Sequence, residues 1–215
     1  MEQNQIIDSL NWRYATKKFD ANKKISAPDW KVLSESLHLA PSSYGLQPWK
    51  FLVVQNKETL KKLTPLSWNQ TQVEDCSHYI VFTTLNKVTE DHVKKFIAKT
   101  AEVRGQQPND QGLMAYQDMM IGDVVKGPRS EIGKWWSQRQ SYIAMGFLMQ
   151  TAALLKIDTC AMEGIDPKGY DDVLGLTGTG YETVAAVACG YRHSDDKYQT
   201  MKKVRFDTSD VIKFV

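Results

Sequence analysis

Residues 39–54 read LAPSSYGLQPWKFLVV, and this stretch is the most informative part of the sequence. A helix is expected to end before it, a short polar loop follows, and the apolar run after Trp49 predicts a buried strand. Pro41 and Pro48 each bias the preceding residue away from helical backbone angles, so the loop is stiff and its polar groups are held in place. Such a loop can hydrogen-bond a flat polar ligand with little ordering. Taken alone, an ordinary polar connection between a helix and a strand is the simpler interpretation.

The composition is that of a folded protein long enough to bury a core. The 215 residues are 42% apolar and 24% charged, with a formal net charge of +2. Basic residues are scattered among acidic ones, which argues against nucleic acid or a membrane surface as a partner. The start shows no signal-peptide pattern, and no apolar run approaches the ~20 residues of a membrane span. Cys76, Cys160 and Cys189 cannot all pair and are expected to be buried thiols of a cytoplasmic protein.

The order of elements predicts an α+β fold with a central mixed or antiparallel sheet covered by helices. Strands are predicted at 51–55, 79–84, 159–162 and 183–189, and helices at 6–10, 57–63 and 131–156. Ser26, Pro28 and Asp29 mark the start of another helix. Residues 87–126 predict two helices broken around 105–109, with Asp110 capping the second.

Two predicted segments carry apolar or strand-forming residues that must pack against another part of the protein or a second subunit. Residues 142–155 are apolar on nearly every face of the predicted helix, so the helix must be covered all round and is expected to meet a second subunit as well. Residues 210–215 are unusually β-prone for a chain end. Because a free strand edge promotes aggregation, this end is expected to pair with another strand.

Two cationic motifs stand near the two ends of the chain. Arg13 and Lys17 are four residues apart, and Lys203 and Arg205 flank Val204. Each pair could bind a phosphate, since Arg offers two parallel hydrogen bonds and Lys a point charge. Alone, each pair is more simply a solvated charge pair.

Three further short motifs, one of them rich in glycine, are candidate binding segments. Asn69-x-x-Gln72 fits a polar turn, and the segment 161–164, Ala-Met-Glu-Gly, fits a strand exit whose glycine permits a ring to approach the backbone. The glycine-rich residues 175–180 precede a strand, whereas a dinucleotide-binding loop must follow one. The four histidines lack metal-ligand spacing, so no metal site is predicted.

Taken in order, these motifs make the chain resemble the FMN-dependent nitroreductase family. The loop is similar to the family's Pro-Ser-Ser-x-x-x-Gln-Pro-Trp loop, and the matches run from residue 13 to residue 205, weakest at 87–134. The resemblance implies one FMN-binding domain over 1–215, with a variable helical lid at 87–134, a C-terminal extension at 206–215, and a domain-swapped homodimer. It also implies contacts to tightly but noncovalently bound FMN from Arg13, Tyr14, Ala15, Lys17, Pro41, Ser42, Ser43, Gly45, Gln47, Asn69, Gln72, Ala161, Met162, Glu163, Gly164, Lys203 and Arg205.

The resemblance assigns a role to each motif. The cationic motifs clasp the FMN phosphate, residues 69–72 reach the pyrimidine edge of the flavin, and the backbone of 161–164 lies against its reactive nitrogen. The loop at Ser42 and Ser43 reaches the partner's flavin. The chain departs from the family pattern where Tyr14 and Ala15 replace a frequent His-Ser, where Ala161 replaces Pro, and where Gln72 replaces a Lys found in some members. A Gln cannot neutralise an anionic reduced flavin, so a lower potential is expected unless another cation compensates.

The activity that the resemblance implies is NAD(P)H oxidation, in which the cofactor carries the chemistry and no side chain is catalytic. NAD(P)H and then a nitroaromatic, quinone or similar small-molecule acceptor use one site in turn, which is ping-pong turnover. Met114, Tyr116, Met119 and Met120 of the lid are expected to shape the acceptor space. Two alternatives stay open: another reaction of the same superfamily, such as reductive dehalogenation or flavin destruction, and a non-catalytic flavin-binding redox sensor.

Overall fold

The computed structural model describes residues 3–215 and centres on an antiparallel sheet. Its strands are β1 (Trp49–Val54), β2 (His78–Leu85), β3 (Asp158–Met162) and β4 (Tyr181–Gly190), in the spatial order β1-β2-β4-β3. Each pair of neighbours is antiparallel, and the β2–β4 register shifts between Phe82 and Thr83. The predicted α+β class and the four predicted strands are confirmed.

Helices pack on both faces of this sheet. The helices of the described residues are α1 (Gln3–Trp12), α2 (Ala27–His38), α3 (Lys57–Leu63), α4 (Gln72–Asp75), α5 (Glu90–Arg104), α6 (Gln111–Met120), α7 (Gly133–Leu154), α8 (Pro167–Leu174) and α9 (Thr208–Val211). Of these, α2 and α7 pack on one face of the sheet, and α3 and α8 pack on the other. The predicted caps are confirmed, because Ser26 accepts the Asp29 amide and Asp110 accepts the amides of Gly112 and Leu113. Helix α8, capped by Asp166, lies where the sequence predicted no helix.

The core divides into one cluster on each sheet face and a third beside them. Side chains alternate along β2 and β4, so Ile80 and Phe82 face α2 and α7 while Tyr79 and Val81 face α3 and α8. The third cluster joins α5, α6 and a π-helical turn, Ile121–Val125, to the start of α7. Cys76, Cys160 and Cys189 are buried and unpaired, as predicted.

Helix α7 is covered on one side only within the chain. Ala144, Met145 and Leu148 are buried against the sheet, whereas Ile143 and Phe147 keep 41% and 45% of their surface exposed. The apolar exposed side agrees with the expectation that a second subunit covers it, which stays a prediction.

The chain end differs from its prediction. Thr208–Val211 form one helical turn, and residues 212–215 belong to no strand in the described structure. The expected strand over 210–215 is therefore wrong for Asp210 and Val211 in the isolated chain. The side chains of Phe214 and Val215 are almost fully exposed. Because a strand requires a partner edge, pairing of this end with a second subunit stays a prediction.

Deleting residues 210–215 is expected to weaken a homodimer while leaving the fold of each subunit intact, since these residues bury little surface within their own chain. Sedimentation equilibrium measures the dimer dissociation constant, and circular dichroism checks the fold. Lys213→Ala is the matched control, because it keeps the apolar side chains of the tail. An unchanged dissociation constant, or a monomeric parent protein, would contradict the prediction.

Met120 does not lie on the open surface of the lid as expected. Its side chain is completely buried in the third cluster, while its neighbour Met119 is 50% exposed. The interpretation of Met120 as a lining of the acceptor space is therefore wrong in the described structure.

Met120→Ala is accordingly expected to lower the free energy of unfolding by about 2–5 kcal/mol, because it leaves a cavity in a closed core. Met119→Ala should change it by less than about 0.5 kcal/mol, as exposed substitutions usually do. Urea unfolding of both variants measures the difference. Equal stabilities would show that the burial of Met120 does not matter to the fold.

Candidate functional site

A cavity of about 450 Å³ lies where the two ends of the chain meet. One wall comes from residues 11–15 and Lys17, and the other from Tyr198, Gln199 and residues 201–205. Arg13, Lys17, Lys203 and Arg205 all line it, although the two motifs lie at opposite ends of the sequence. The Lys203 ammonium donates to the backbone carbonyl of Arg13, so the two walls are in direct contact. Lys202 adds a further cation that the sequence analysis did not single out.

The N-terminal wall is positioned by the edge of the sheet. Helix α1 ends at Trp12, and the chain then runs beside β3, where Ala15 forms a parallel bridge with Thr159. The amide of Thr16 donates to the carbonyl of Thr159 at 3.2 Å. This pairing fixes the backbone between Arg13 and Lys17 and so sets the direction of both cationic side chains.

An ion pair beneath this wall holds it against β3. The Arg192 guanidinium donates to the Asp158 carboxylate at 2.8 Å, and the Arg192 amide donates to the other carboxylate oxygen at 2.8 Å. The same guanidinium lies over the rings of Trp12 and Tyr14, at 4.3 and 4.6 Å from their centroids. The Arg192 guanidinium is therefore used in contacts that stabilise the fold. Arg13, which lies between Trp12 and Tyr14 in the sequence, lines the cavity instead.

The cavity carries uncompensated positive charge. Arg13 Nε is buried and finds no hydrogen-bond partner among residues 3–215. Burial and then the Arg205 cation lower the pKa of Arg13, and burial followed by the Arg13 and Arg205 cations lowers the pKa of Lys203. The charges of Arg13 and Arg205 thus disfavour the charged form of Lys203, and the charge of Arg205 does the same to Arg13. An anion placed among them would remove this repulsion and supply the missing acceptor.

The second group of predicted residues lies beside β3. The Gln72 side chain is buried beside the Cys160 thiol, and Lys17 Nζ lies 3.8 Å from the same sulfur. Burial, as the largest cause, raises the pKa of this thiol. The motifs around Lys17, Gln72 and Ala161 therefore converge on the end of one strand.

The turn before Gln72 packs on the strand exit at 163–166. Trp68 and Asn69 both have left-handed backbone angles, with φ of 55° each, and Asn69 is exposed. The Asp166 amide donates to the Leu66 carbonyl at 2.7 Å. Two strained residues in succession mark a turn that the surrounding contacts hold in place.

Gly164 does meet a ring, but the ring belongs to Trp68. A Cβ added at Gly164 would lie 2.8 Å from Trp68 Cε3, so any larger residue would displace the indole. The glycine is therefore explained by the fold without a bound ligand. The Met162 side chain is buried in the core, which leaves only its backbone for a ligand. Ala161 and Glu163 are exposed, and Tyr142 donates to the Glu163 carboxylate at 2.5 Å.

The loop of residues 41–47 lies apart from the cationic cavity. None of these residues lines it in the described structure. The Ser43 amide donates to Gln140 Oε1 of α7 at 2.8 Å, and Ser42 Oγ accepts the Gln47 amide at 2.9 Å. Pro41 and Gln47 are exposed, and both Gly45 and Gln47 have positive φ. The loop is therefore rigid, but one chain does not bring it to the cations.

The lid segment is bound to this loop. Tyr44, at φ 59°, donates to the Asp123 carboxylate at 2.6 Å, and the Tyr116 hydroxyl donates to the Tyr44 carbonyl at 3.1 Å. Asp123 sits in the π-helical turn, and the Tyr44 hydroxyl is the largest of the causes that lower its pKa. A change in residues 111–125 will therefore act on the loop.

Several residues of the site were not found from the sequence. Lys202 could have been, because it extends the cationic run before Lys203. Asp158, Arg192 and Gln140 carry no motif, and only the pairing of distant segments gives them their partners. In residues 3–215, no group of three His, Cys, Asp or Glu side chains is arranged to hold a metal ion. None of the helices described there is long and apolar enough to cross a membrane.

The chain is similar to known proteins over nearly its whole length. Residues 10–191 match the nitroreductase family. The chain is 34% identical to "Putative NAD(P)H nitroreductase SSP0379" of Staphylococcus saprophyticus, over 99% of this chain and 98% of that protein. It is 33% identical to "Putative NAD(P)H nitroreductase YfkO" of Bacillus subtilis, over 98% and 97%. A solved structure titled as a putative nitroreductase in complex with FMN, from Exiguobacterium sibiricum, superposes with a TM-score of 0.80 at 26% identity, over 100% of this chain and 98% of that one. The chain belongs to the nitroreductase family.

Proposed function

We propose that the protein is an FMN-dependent oxidoreductase that uses NAD(P)H to reduce nitroaromatics, quinones or similar small acceptors. The cationic cavity carries this proposal, because it joins five cationic side chains, and one guanidinium nitrogen among them has no hydrogen-bond partner within residues 3–215. Its cluster of cations suits the phosphate of a mononucleotide. The FMN in the E. sibiricum structure and the names of the relatives support the same assignment.

The residues present fit FMN bound without a covalent link. Arg13, Lys17, Lys203 and Arg205 would hold the phosphate, with Tyr14 and Ala15 supplying the wall between the first two. Asn69 and Gln72 would hydrogen-bond the pyrimidine edge, and the backbone of residues 161–164 would lie against the reactive nitrogen. When bound, FMN would supply the atom that takes up and gives off hydride, so no side chain need be a catalyst.

A positive charge lies close to Gln72, although Gln72 itself carries none. It shares the Cys160 sulfur with Lys17, whose ammonium lies 3.8 Å from that atom. Gln72 can donate a hydrogen bond there, and Lys17, which would also attract the phosphate, would bring positive charge to this edge as well. This arrangement reduces the effect on the flavin potential that the substitution alone implies.

We also propose a homodimer in which Pro41, Ser42, Ser43, Gly45 and Gln47 act on the partner's cofactor. The exposed apolar face of α7 and the exposed end of the chain support it. The loop is rigid but lies apart from the cations of its own chain. This arrangement is expected if the loop acts on the cofactor of the partner subunit. A single site used in turn by NAD(P)H and the acceptor gives ping-pong kinetics. The three buried free thiols support a reducing, cytoplasmic location.

The first experiment is the identification of the cofactor. The protein is reconstituted with flavins and washed, and the flavin released by heat is identified by chromatography. We expect FMN, followed by NAD(P)H oxidation that rises when a nitroaromatic or quinone is added. FAD, or no flavin at all, would overturn the proposal. FMN without NAD(P)H oxidation would leave a flavin-binding protein that is not this enzyme.

Arg205→Ala is expected to weaken FMN binding by about ten- to a hundredfold, because a charge-assisted hydrogen bond to the phosphate is lost. Fluorescence titration of the apoprotein measures the dissociation constant. Arg104→Ala, which removes the same charge from the last turn of α5, is the control and should bind FMN normally. Full FMN affinity in Arg205→Ala would show that this residue does not contact the phosphate.

A further inference from the structure

We propose that Asp196 is the positioning residue that holds the two walls of the cationic cavity together. Its carboxylate binds backbone amides from both walls and does not itself line the cavity. The proposal rests on the proposed function, since it concerns how the phosphate site keeps its shape.

Three amides converge on this one carboxylate. One oxygen accepts the amides of Lys17 and Lys18 at 2.7 and 3.0 Å, and the other accepts the Tyr198 amide at 3.0 Å. Asp196 is only 2% exposed, so water does not compete for these bonds. Burial alone would raise the pKa of Asp196, but the amides of Lys18, Tyr198 and Lys17 lower it below its usual value. The carboxylate therefore stays ionised at neutral pH and can accept all three bonds.

The bonds connect segments that are far apart in the chain. Lys17 belongs to the N-terminal wall and is 179 residues from Asp196. Asp196 caps the short 3₁₀ helix Lys197–Thr200 by accepting the Tyr198 amide, and residues 201–205 of the other wall follow this helix directly. The Lys203 contact with Arg13 also joins the two walls, and just beyond them the His193 amide donates to the Lys18 carbonyl at 2.9 Å. Without the carboxylate, the backbones at Lys17 and Tyr198 would lose the partner that they share.

The negative charge of Asp196 would by itself affect phosphate binding in the sense opposite to that of the positioning role. A buried carboxylate behind a phosphate site weakens the attraction for an anion, so its removal should strengthen phosphate binding if charge were its only effect. The positioning role predicts weaker binding instead. The two effects therefore differ in sign, which makes the proposal testable.

The experiment compares Asp196→Ala with Asp195→Ala, using FMN and riboflavin as ligands of the apoprotein. Asp195 is the matched control, because it is exposed, carries the same charge and has surface partners, namely Lys18, His193 and the Ser194 hydroxyl. Riboflavin lacks the phosphate, so a change confined to the phosphate site affects FMN alone. We expect Asp196→Ala to weaken FMN binding by about ten- to a hundredfold and riboflavin binding by less than about threefold. Asp195→Ala should leave both within about threefold.

Each other outcome overturns a specific claim. Equal losses for FMN and riboflavin would show a general structural role, and unchanged or tighter FMN binding would show that charge dominates. If the parent protein binds FMN no better than riboflavin, the proposed phosphate site itself fails.

A second variant, Asp196→Asn, tests the proposal if the alanine variant does not fold. Its amide oxygen still accepts from Lys17 and Lys18 but its nitrogen cannot accept from Tyr198, so a smaller loss, again confined to FMN, is expected. An asparagine variant with normal FMN affinity contradicts the proposal.

Discussion

Strand β4 pairs with β2 on one side and β3 on the other, and the rest of the molecule depends on this double pairing. Because β4 is central, the chain leaving it at Gly190 emerges beside the start of β3, where Arg192 meets Asp158. The close packing of Gly190 leaves no room for a side chain, since an added Cβ would lie 3.0 Å from Phe19 Cδ1 and 3.1 Å from the Ser77 amide nitrogen. The sheet register thus determines where the segment after β4 can approach the N-terminal segment.

The cationic cavity follows from that meeting point. Two segments rich in Lys and Arg would repel each other if only their side chains were in contact. Backbone pairing with β3, the Arg192–Asp158 ion pair and the Asp196 carboxylate hold them together instead. The energy of these buried contacts maintains an arrangement in which the cations of Arg13, Lys203 and Arg205 destabilise one another. Such stored repulsion is typical of a binding site, where function departs from maximal stability.

Local signals predicted those parts of the fold that local interactions form. Helix α3 matches its predicted range, and the caps at Ser26 and Asp110 need only their own neighbours. Helix α8 escaped prediction because it is short, polar and contains Pro167 and Gly169; it is held by the burial of Tyr170, whose hydroxyl contacts Tyr79 and Ser67. The apolar spacing around Met120 indicates a helix face, but not which neighbours will bury it.

The sequence by itself determined the order of the four strands and of the longer helices, the candidate ligand-binding motifs and, through their order, the resemblance to a family. These features rest on periodicity, capping and residue type, which are properties of neighbours in the chain. Only the tertiary structure decided that Arg13 and Arg205 share one cavity, that Trp68 covers Gly164, and that residues 41–47 lie apart from the cations. Those relations depend on sheet register and on long-range hydrogen bonds such as those of Asp196, and such bonds join residues that no local pattern connects.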